Sequence, residues 1–225
     1  MRVSVSYFSP VIALLCASML CFATPGYAEN SEPLWQKAQN QIKASKQWFA
    51  KNIEETIVAA KDGDESKTLR QSKQFEQWKD GEAVYVVTKT SVENPKAKDG
   101  KQPNFIEMFA SFDQELVAPE IKFKRLADET LQGKTKLIFE VQLKEGGSSK
   151  IWLDKSSERL EQRVDSVSMA FMLDAAVTTQ YVHDEAGNIM VAKVHTKVDV
   201  KIPFKKMKME ITAAQSNFEA KPKKS

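Results

Sequence analysis

Thr135, Leu137, Phe139, Val141 and Leu143 alternate with Lys136, Ile138, Glu140, Gln142 and Lys144. A period of two sends successive side chains to opposite faces of an extended strand. Glu145-Gly146-Gly147-Ser148-Ser149 supplies a turn, and Lys150-Ile151-Trp152-Leu153-Asp154 returns as a second strand. After Lys155-Ser156-Ser157 a third strand continues through Leu160, Gln162 and Val164. Gly133 to Val167 is therefore an antiparallel meander with one strongly apolar face. Such a face must be buried against another layer, and its cover is the central question for this chain.

Cover is available. From Pro33 to Ala60, Leu34, Trp35, Ala38, Ile42, Phe49, Ile53 and Ile57 recur mostly at spacings of three and four, which predicts a long amphipathic helix. Ser31 caps it, Pro33 suits its first turn and Asp62-Gly63 ends it. A second, shorter helix is predicted over Asn104–Leu116, from Phe105, Met108, Phe109, Phe112 and Leu116. Phe75 to Thr88 forms a hairpin turning at Asp80-Gly81, while the stretch just before Phe75 fits either helix or strand. Glu93 to Pro103 is a loop with three lysines, Lys96, Lys98 and Lys101, in water. Further strands are expected at Ile121–Lys124, Val177–His183, Ile189–Ile202 and Lys206–Thr212. Eight to ten strands, two helices and no βαβ alternation place the chain in the α+β class, a curved antiparallel sheet with helices over its apolar face.

The first 28 residues carry one charge, Arg2, then an apolar run from Val11 to Phe22, then small residues at Gly26 and Ala28. This pattern is that of a cleaved secretory signal. The run is shorter than the ~20 residues that span a bilayer. Leu15 and Leu20, ahead of Cys16 and Cys21, stand where a lipoprotein signal has a small residue. Cleavage after Ala28 removes both cysteines, so residues 29–219 form one domain held by its core alone, as suits a periplasm. Residues 220–225 are read as a disordered basic tail. Without Arg2, the 33 Lys and Arg become 32 against 30 acids, a net +2, which implies no nucleic-acid partner.

No catalytic constellation, cofactor motif or metal set is expected. His183 and His195 stand apart, His195 in the polar row of its strand. Asp184-Glu185-Ala186-Gly187-Asn188 lacks the ligand spacing of a calcium loop. There is no Gly-x-Ser-x-Gly elbow and no phosphate loop. Arg159, Glu161, Arg163 and Asp165 form an alternating polar row, read as cross-strand charge pairs. The feature above background is apolar: six methionines, Met108, Met169, Met172, Met190, Met207 and Met209, that either fill core gaps or line a pocket for acyl chains.

A secretory signal, a long N-terminal helix, the strand end Trp152-Leu153-Asp154 with its charged turn and return through Leu160, the hairpin Trp78-Lys79-Asp80-Gly81 and a terminal aromatic, Phe218, stand in sequence. Together these features resemble the LolA/LolB-like outer-membrane lipoprotein carrier superfamily. The resemblance implies a half-open β-barrel whose concave face is covered by helices around a cavity for lipid chains. It makes Leu137, Phe139, Val141, Trp152, Met207 and Met209 the candidate ligand-binding residues. Met169 to Leu173 is the candidate for the receptor's protruding apolar loop, and no position matches the carrier's cavity arginine. The implied partner is a lipid or the acyl chain of a lipoprotein. The superfamily also includes sensor domains that bind lipid-like or peptide signals and regulate an envelope stress response, and the alternative is an interaction or regulatory module that binds an envelope protein through an edge strand or Ser166–Ala176.

Overall fold

The computed structural model describes residues 31–61, 65–95, 106–203 and 206–222. The signal segment and the three loop lysines lie outside these. The described residues form, in chain order, α1 (Ser31–Ser45), β1 (Trp48–Lys61), β2 (Lys67–Lys79), β3 (Glu82–Glu93), α2 (Ile106–Leu116), β4 (Phe123–Leu131), β5 (Lys134–Gln142), β6 (Gly147–Asp154), β7 (Leu160–Met169), β8 (Leu173–His183), β9 (Ile189–Val200) and β10 (Met207–Ala220). All ten strands join one antiparallel sheet in the order β3-β2-β1-β10-β9-β8-β7-β6-β5-β4. The fold is α+β, an open curved sheet with two helices. Among the described residues the first and last strands, β1 and β10, pair with each other, third and fourth from the β3 edge. β10 runs on through Ala220, and the Lys221 N–H reaches the Gln47 carbonyl at 2.8 Å.

The order of strands explains the second helix. β3 and β4 are consecutive in sequence yet form opposite edges, nine strand spacings apart, or roughly 43 Å along a flat sheet at ~4.8 Å per spacing. Of the residues between them, α2 is described, and it lies across one face of the sheet. Its Phe112 is seated on Gly147, where an added Cβ would stand 2.5 Å from the ring. Only glycine lets the helix come this close.

The long N-terminal helix ends early. After Ser45 the chain makes two three-residue turns, with Lys46 N–H to Lys43 O and Gln47 N–H to Ala44 O, and from Trp48 it is strand. The expected helix over Pro33–Ala60 is thus a helix of half that length followed by β1. The ambiguous stretch before Phe75 is strand. The Asp80-Gly81 hairpin is present, both residues at positive φ (52° and 82°), the mirror-image turn that matches strand twist.

Candidate functional site

The cross-strand register defines two faces. One row crosses every strand: Val92, Leu69, Ile57, Ile211, Thr196, Val177, Asp165, Ser149, Val141, Phe123. Residues paired in this way point to the same side. This inner side is the one the helices pack on. Along the row, Val92 is 41% exposed at one edge, the next five residues are partly exposed, and Asp165, Ser149 and Val141 are sealed. The face is therefore closed over β5–β7 and left partly open over β1, β2, β3 and β10.

The closed half is ordinary core. Trp35 of α1 stacks on Phe123 at 5.0 Å and meets Phe139 at 5.7 Å. Leu137, Phe139, Val141, Ile151 and Leu153 lie beneath, with Ile42 and Phe112 from the helices. Gln39 fastens the two helices by donating to the Leu116 and Ala118 carbonyls at 2.8 and 3.2 Å. Phe109 of α2 also reaches the open half, where Leu173, Ala175, Val198 and Met209 form a second apolar cluster flanked by Ile57, Ile211 and Met169.

The six candidate ligand residues are thus divided. Leu137, Phe139 and Val141 are sealed in the core. Met207 and Met209 lie on the open half, Met209 buried and Met207 partly exposed. Trp152 pairs with Ile138 and so faces the outer side, apart from Phe139, whose partner is Ile151. The structure does not bring Trp152 together with the others.

At the boundary between the halves sits a polar cluster that the alternation hid. The reading of Arg159, Glu161, Arg163 and Asp165 as one alternating row of cross-strand charge pairs is corrected by the register and by the Arg163–Asp165 pair within β7. Leu153 pairs with Leu160, but Trp152 pairs with Gln162, so Glu161 is an extra residue in a bulge. Beyond it, Arg163 and Asp165 point inward. Arg163 Nη2 lies 2.9 Å from Asp165 Oδ2 and 2.7 Å from Oδ1 of Asp113 on α2, the latter a charge contact without hydrogen-bond alignment. The Ser149 hydroxyl donates to Asp165 at 2.7 Å, and Lys46 holds Asp113 at 3.2 Å. A cleft of about 310 Å³ opens beside this cluster, bordered by Lys46, Trp48, Tyr181, Val194 and Phe218.

Burial works against the Arg163 charge, but the Tyr181 oxygen, Asp165 and Asp113 outweigh it and raise its affinity for the proton. Burial pushes the Asp165 carboxyl up, with Arg163 and Ser149 opposing. Burial likewise pushes the Tyr181 phenol up to about 12, against the pull of Arg163. An unfolded tyrosine ionises near ~10, so above that pH only the unfolded chain releases this proton. Stability is expected to fall by about 2–3 kcal/mol between pH ~10 and ~12 from this group alone. Urea titrations of the parent and Tyr181→Phe at the two ends of that range check it. Parallel losses in both proteins would place the phenol in water.

Among the described residues no group of three or more His, Cys, Asp or Glu side chains is placed to hold a metal ion. His195 lies on the outer side, bonded to Glu210. His183 donates to the Leu160 carbonyl at 2.9 Å if its Nε2 carries the proton. Met169 to Leu173 forms the β7–β8 hairpin tip, where Phe171 (φ 63°) is 87% exposed and Met172 half exposed.

No family model matches the sequence, and no curated protein matches it. Solved structures do. An outer membrane lipoprotein-sorting protein domain from Vibrio parahaemolyticus is 13% identical, with a TM-score of 0.43, covering 87% of this chain and 95% of that one. A LolA superfamily protein from Nitrosomonas europaea is 11% identical at a TM-score of 0.38, covering 82% and 94%. The MucA/MucB complex of Pseudomonas aeruginosa gives 7% identity and a TM-score of 0.25, over 84% of this chain and 99% of that chain. The alignments with the first two of these structures run over more than four-fifths of this chain.

Proposed function

We propose that the protein is a periplasmic binding or carrier protein for lipids or lipidated proteins, and that it holds an acyl chain on the open half of the inner face. The observation that carries this reading is the gradient along the inner row. The sheet keeps an apolar floor (Ile57, Ile211, Met209, Leu69) beyond the reach of α1, with Phe109 as a side wall. A sheet built only to be packed has no use for that half-covered strip. Apolar area left facing water marks a binding surface, and unbranched methionine side chains adapt to chains of varied shape. Leu137, Phe139 and Val141 then serve as the rigid base, and Met207 and Met209 as contacts.

Protein purified from a bacterial periplasm is expected to yield acyl lipid on extraction and mass spectrometry. Ile211→Asp is expected to weaken a fluorescent fatty-acid probe by about tenfold or more, equivalent to ~1.4 kcal/mol, with little change in melting because the site is partly exposed. Absence of both extracted lipid and probe binding would overturn the proposal.

The second reading is an envelope module that binds a protein partner without lipid. The Phe171–Met172 tip and the β3 edge, with Val86, Val87 and Val92 exposed, favour it. Crosslinking from position 171 in cells separates the two: one protein partner with no lipid recovered supports the module.

A further inference from the structure

The outer face carries a second recessed surface with a chemistry opposite to the inner strip. One row there runs Leu126, Ile138, Trp152, Gln162, Gln180 and Lys193. Ile138 is fully buried, so the row passes from packed aliphatic side chain to indole to two adjacent primary amides. A depression of about 620 Å³ opens over this row, and Trp152, Gln162, Gln180, Lys134 and Arg159 are among its walls.

Its floor is fixed by charge. Lys136 is buried on a face where lysines normally reach water, with its ammonium between Asp154 at 3.2 Å and Glu161. Asp154 Oδ1 also accepts from the N–H and hydroxyl of Ser156 and of Ser157, the longest of these bonds 3.1 Å. These contacts satisfy the inner charges and hold the walls in place. Above them the Trp152 indole N–H reaches Glu129 at 3.5 Å and the Lys150 ammonium lies 5.7 Å from its ring centroid, while four neighbouring groups are uncommitted. Among the described residues the Gln162 and Gln180 amides make no hydrogen bond, and Lys134 and Arg159 make no ion pair.

We propose that this depression binds an acidic oligosaccharide. A pyranose ring has an apolar C–H face and a rim of hydroxyls. The indole of Trp152 matches that face with the side of its ring turned away from Lys150, its N–H being directed at Glu129. Each glutamine amide offers two donors and an acceptor, as neighbouring hydroxyls require. Arg159 and Lys134 supply countercharge for a carboxylate or phosphate substituent, arginine through its planar fork. An apolar ligand would leave two amides and two cations unpaired, which is costly. A bare anion would leave the indole and the amides unused. The site is independent of the inner strip, since residues paired along the outer row face the other side of the sheet.

The test is nuclear magnetic resonance titration of isotope-labelled protein with trigalacturonic acid, maltotriose and inorganic phosphate, Trp152 being assigned through Trp152→Phe. Trigalacturonic acid is expected to shift the Trp152 indole N–H and the Gln162 and Gln180 side-chain resonances saturably. Maltotriose should bind at least about tenfold more weakly, and phosphate should leave the indole resonance in place. Arg159→Gln and Gln180→Leu alter exposed side chains and keep the fold. The first should weaken trigalacturonic acid by about tenfold, and the second should weaken both sugars. The proposal is overturned if neither sugar moves the indole resonance at millimolar concentration. It is equally overturned if the neutral sugar binds as well as the acidic one, if phosphate reproduces the shift, or if Arg159→Gln has no effect.

Discussion

Replacing Phe139 with Asp is expected to leave the chain without a cooperative folded state. Phe139 is fully buried between Trp35 and Phe123, with ring centroids 5.7 Å from each. Removing the ring from such a site costs about 3–5 kcal/mol through lost transfer energy and the cavity left behind. The new carboxyl must then either stay charged in an apolar pocket or be protonated at neutral pH, and the second route alone costs ~4 kcal/mol for a group whose ordinary pKa is about 3.9. Arg125 lies 5.6 Å from the ring centroid, but its guanidinium is already held by Asp128 and by the Leu126 and Ile138 carbonyls. The total approaches the whole stability of an ordinary domain, about 5–15 kcal/mol. Circular dichroism during urea titration, with dye binding as a probe of exposed apolar surface, checks it. Phe139→Leu should retain a cooperative transition. Survival of Phe139→Asp within ~1 kcal/mol of the parent would mean that this residue does not sit in the packed layer.

The alternation from Thr135 to Leu143 was enough to find β5 and its buried side, because a period of two has one structural meaning when it is unbroken. The Asp80-Gly81 turn was legible for the same reason: its dipeptide matches one backbone geometry. The helix over Pro33–Ala60 was overextended because Phe49, Ile53 and Ile57 recur at spacings of four. Four residues is about one helical turn, and it is also two strand repeats. No glycine or proline lies between Ser45 and Trp48 to break the tie. What decides for strand there is β10, which pairs with β1 from Trp48 to Lys61. That partner lies about 160 residues away, so local sequence did not contain the decision.

The candidate site was legible only in kind. The sequence showed an apolar sheet face with helices to cover it, and methionines near the end of the chain. It did not show that α1 stops short and leaves one flank of the sheet partly open. The resemblance groups Trp152 with Leu137 and Phe139, although within its strand Trp152 alternates with Ile151 and Leu153, the residues that do face the core. Arg163 and Asp165 escaped for a different reason. A one-residue bulge reverses the facing of everything after it. One signal was available: Leu160 and Val167, both buried, are an odd number of residues apart, which an unbroken strand with one buried side forbids.

Arg163→Met is expected to be the most damaging change that removes a charge without adding one. The guanidinium is the cation that Asp165 meets in the core, and Asp165 is 1% exposed. Taking one partner from a buried pair costs about 3–5 kcal/mol, since the other charge stays desolvated. The Asp113 contact that fastens α2 to the sheet is lost as well, so the helix is expected to loosen first. Amide hydrogen exchange in Ile106–Leu116 should therefore rise more than exchange in β5. The pH dependence gives a second signature. Burial already pushes the Asp165 carboxyl up while Arg163 pulls it down, so removing Arg163 pushes it further up. A carboxyl whose folded pKa lies above its unfolded value destabilises the fold at every pH above the unfolded value, and the penalty fades as acid protonates it. The deficit of Arg163→Met relative to the parent should shrink as pH is lowered from ~7 towards ~4. Arg163→Met combined with Asp165→Leu should recover most of the loss, because two apolar groups replace the pair. A deficit below ~1 kcal/mol, unchanged with pH, would show that solvent rather than Arg163 balances the Asp165 charge.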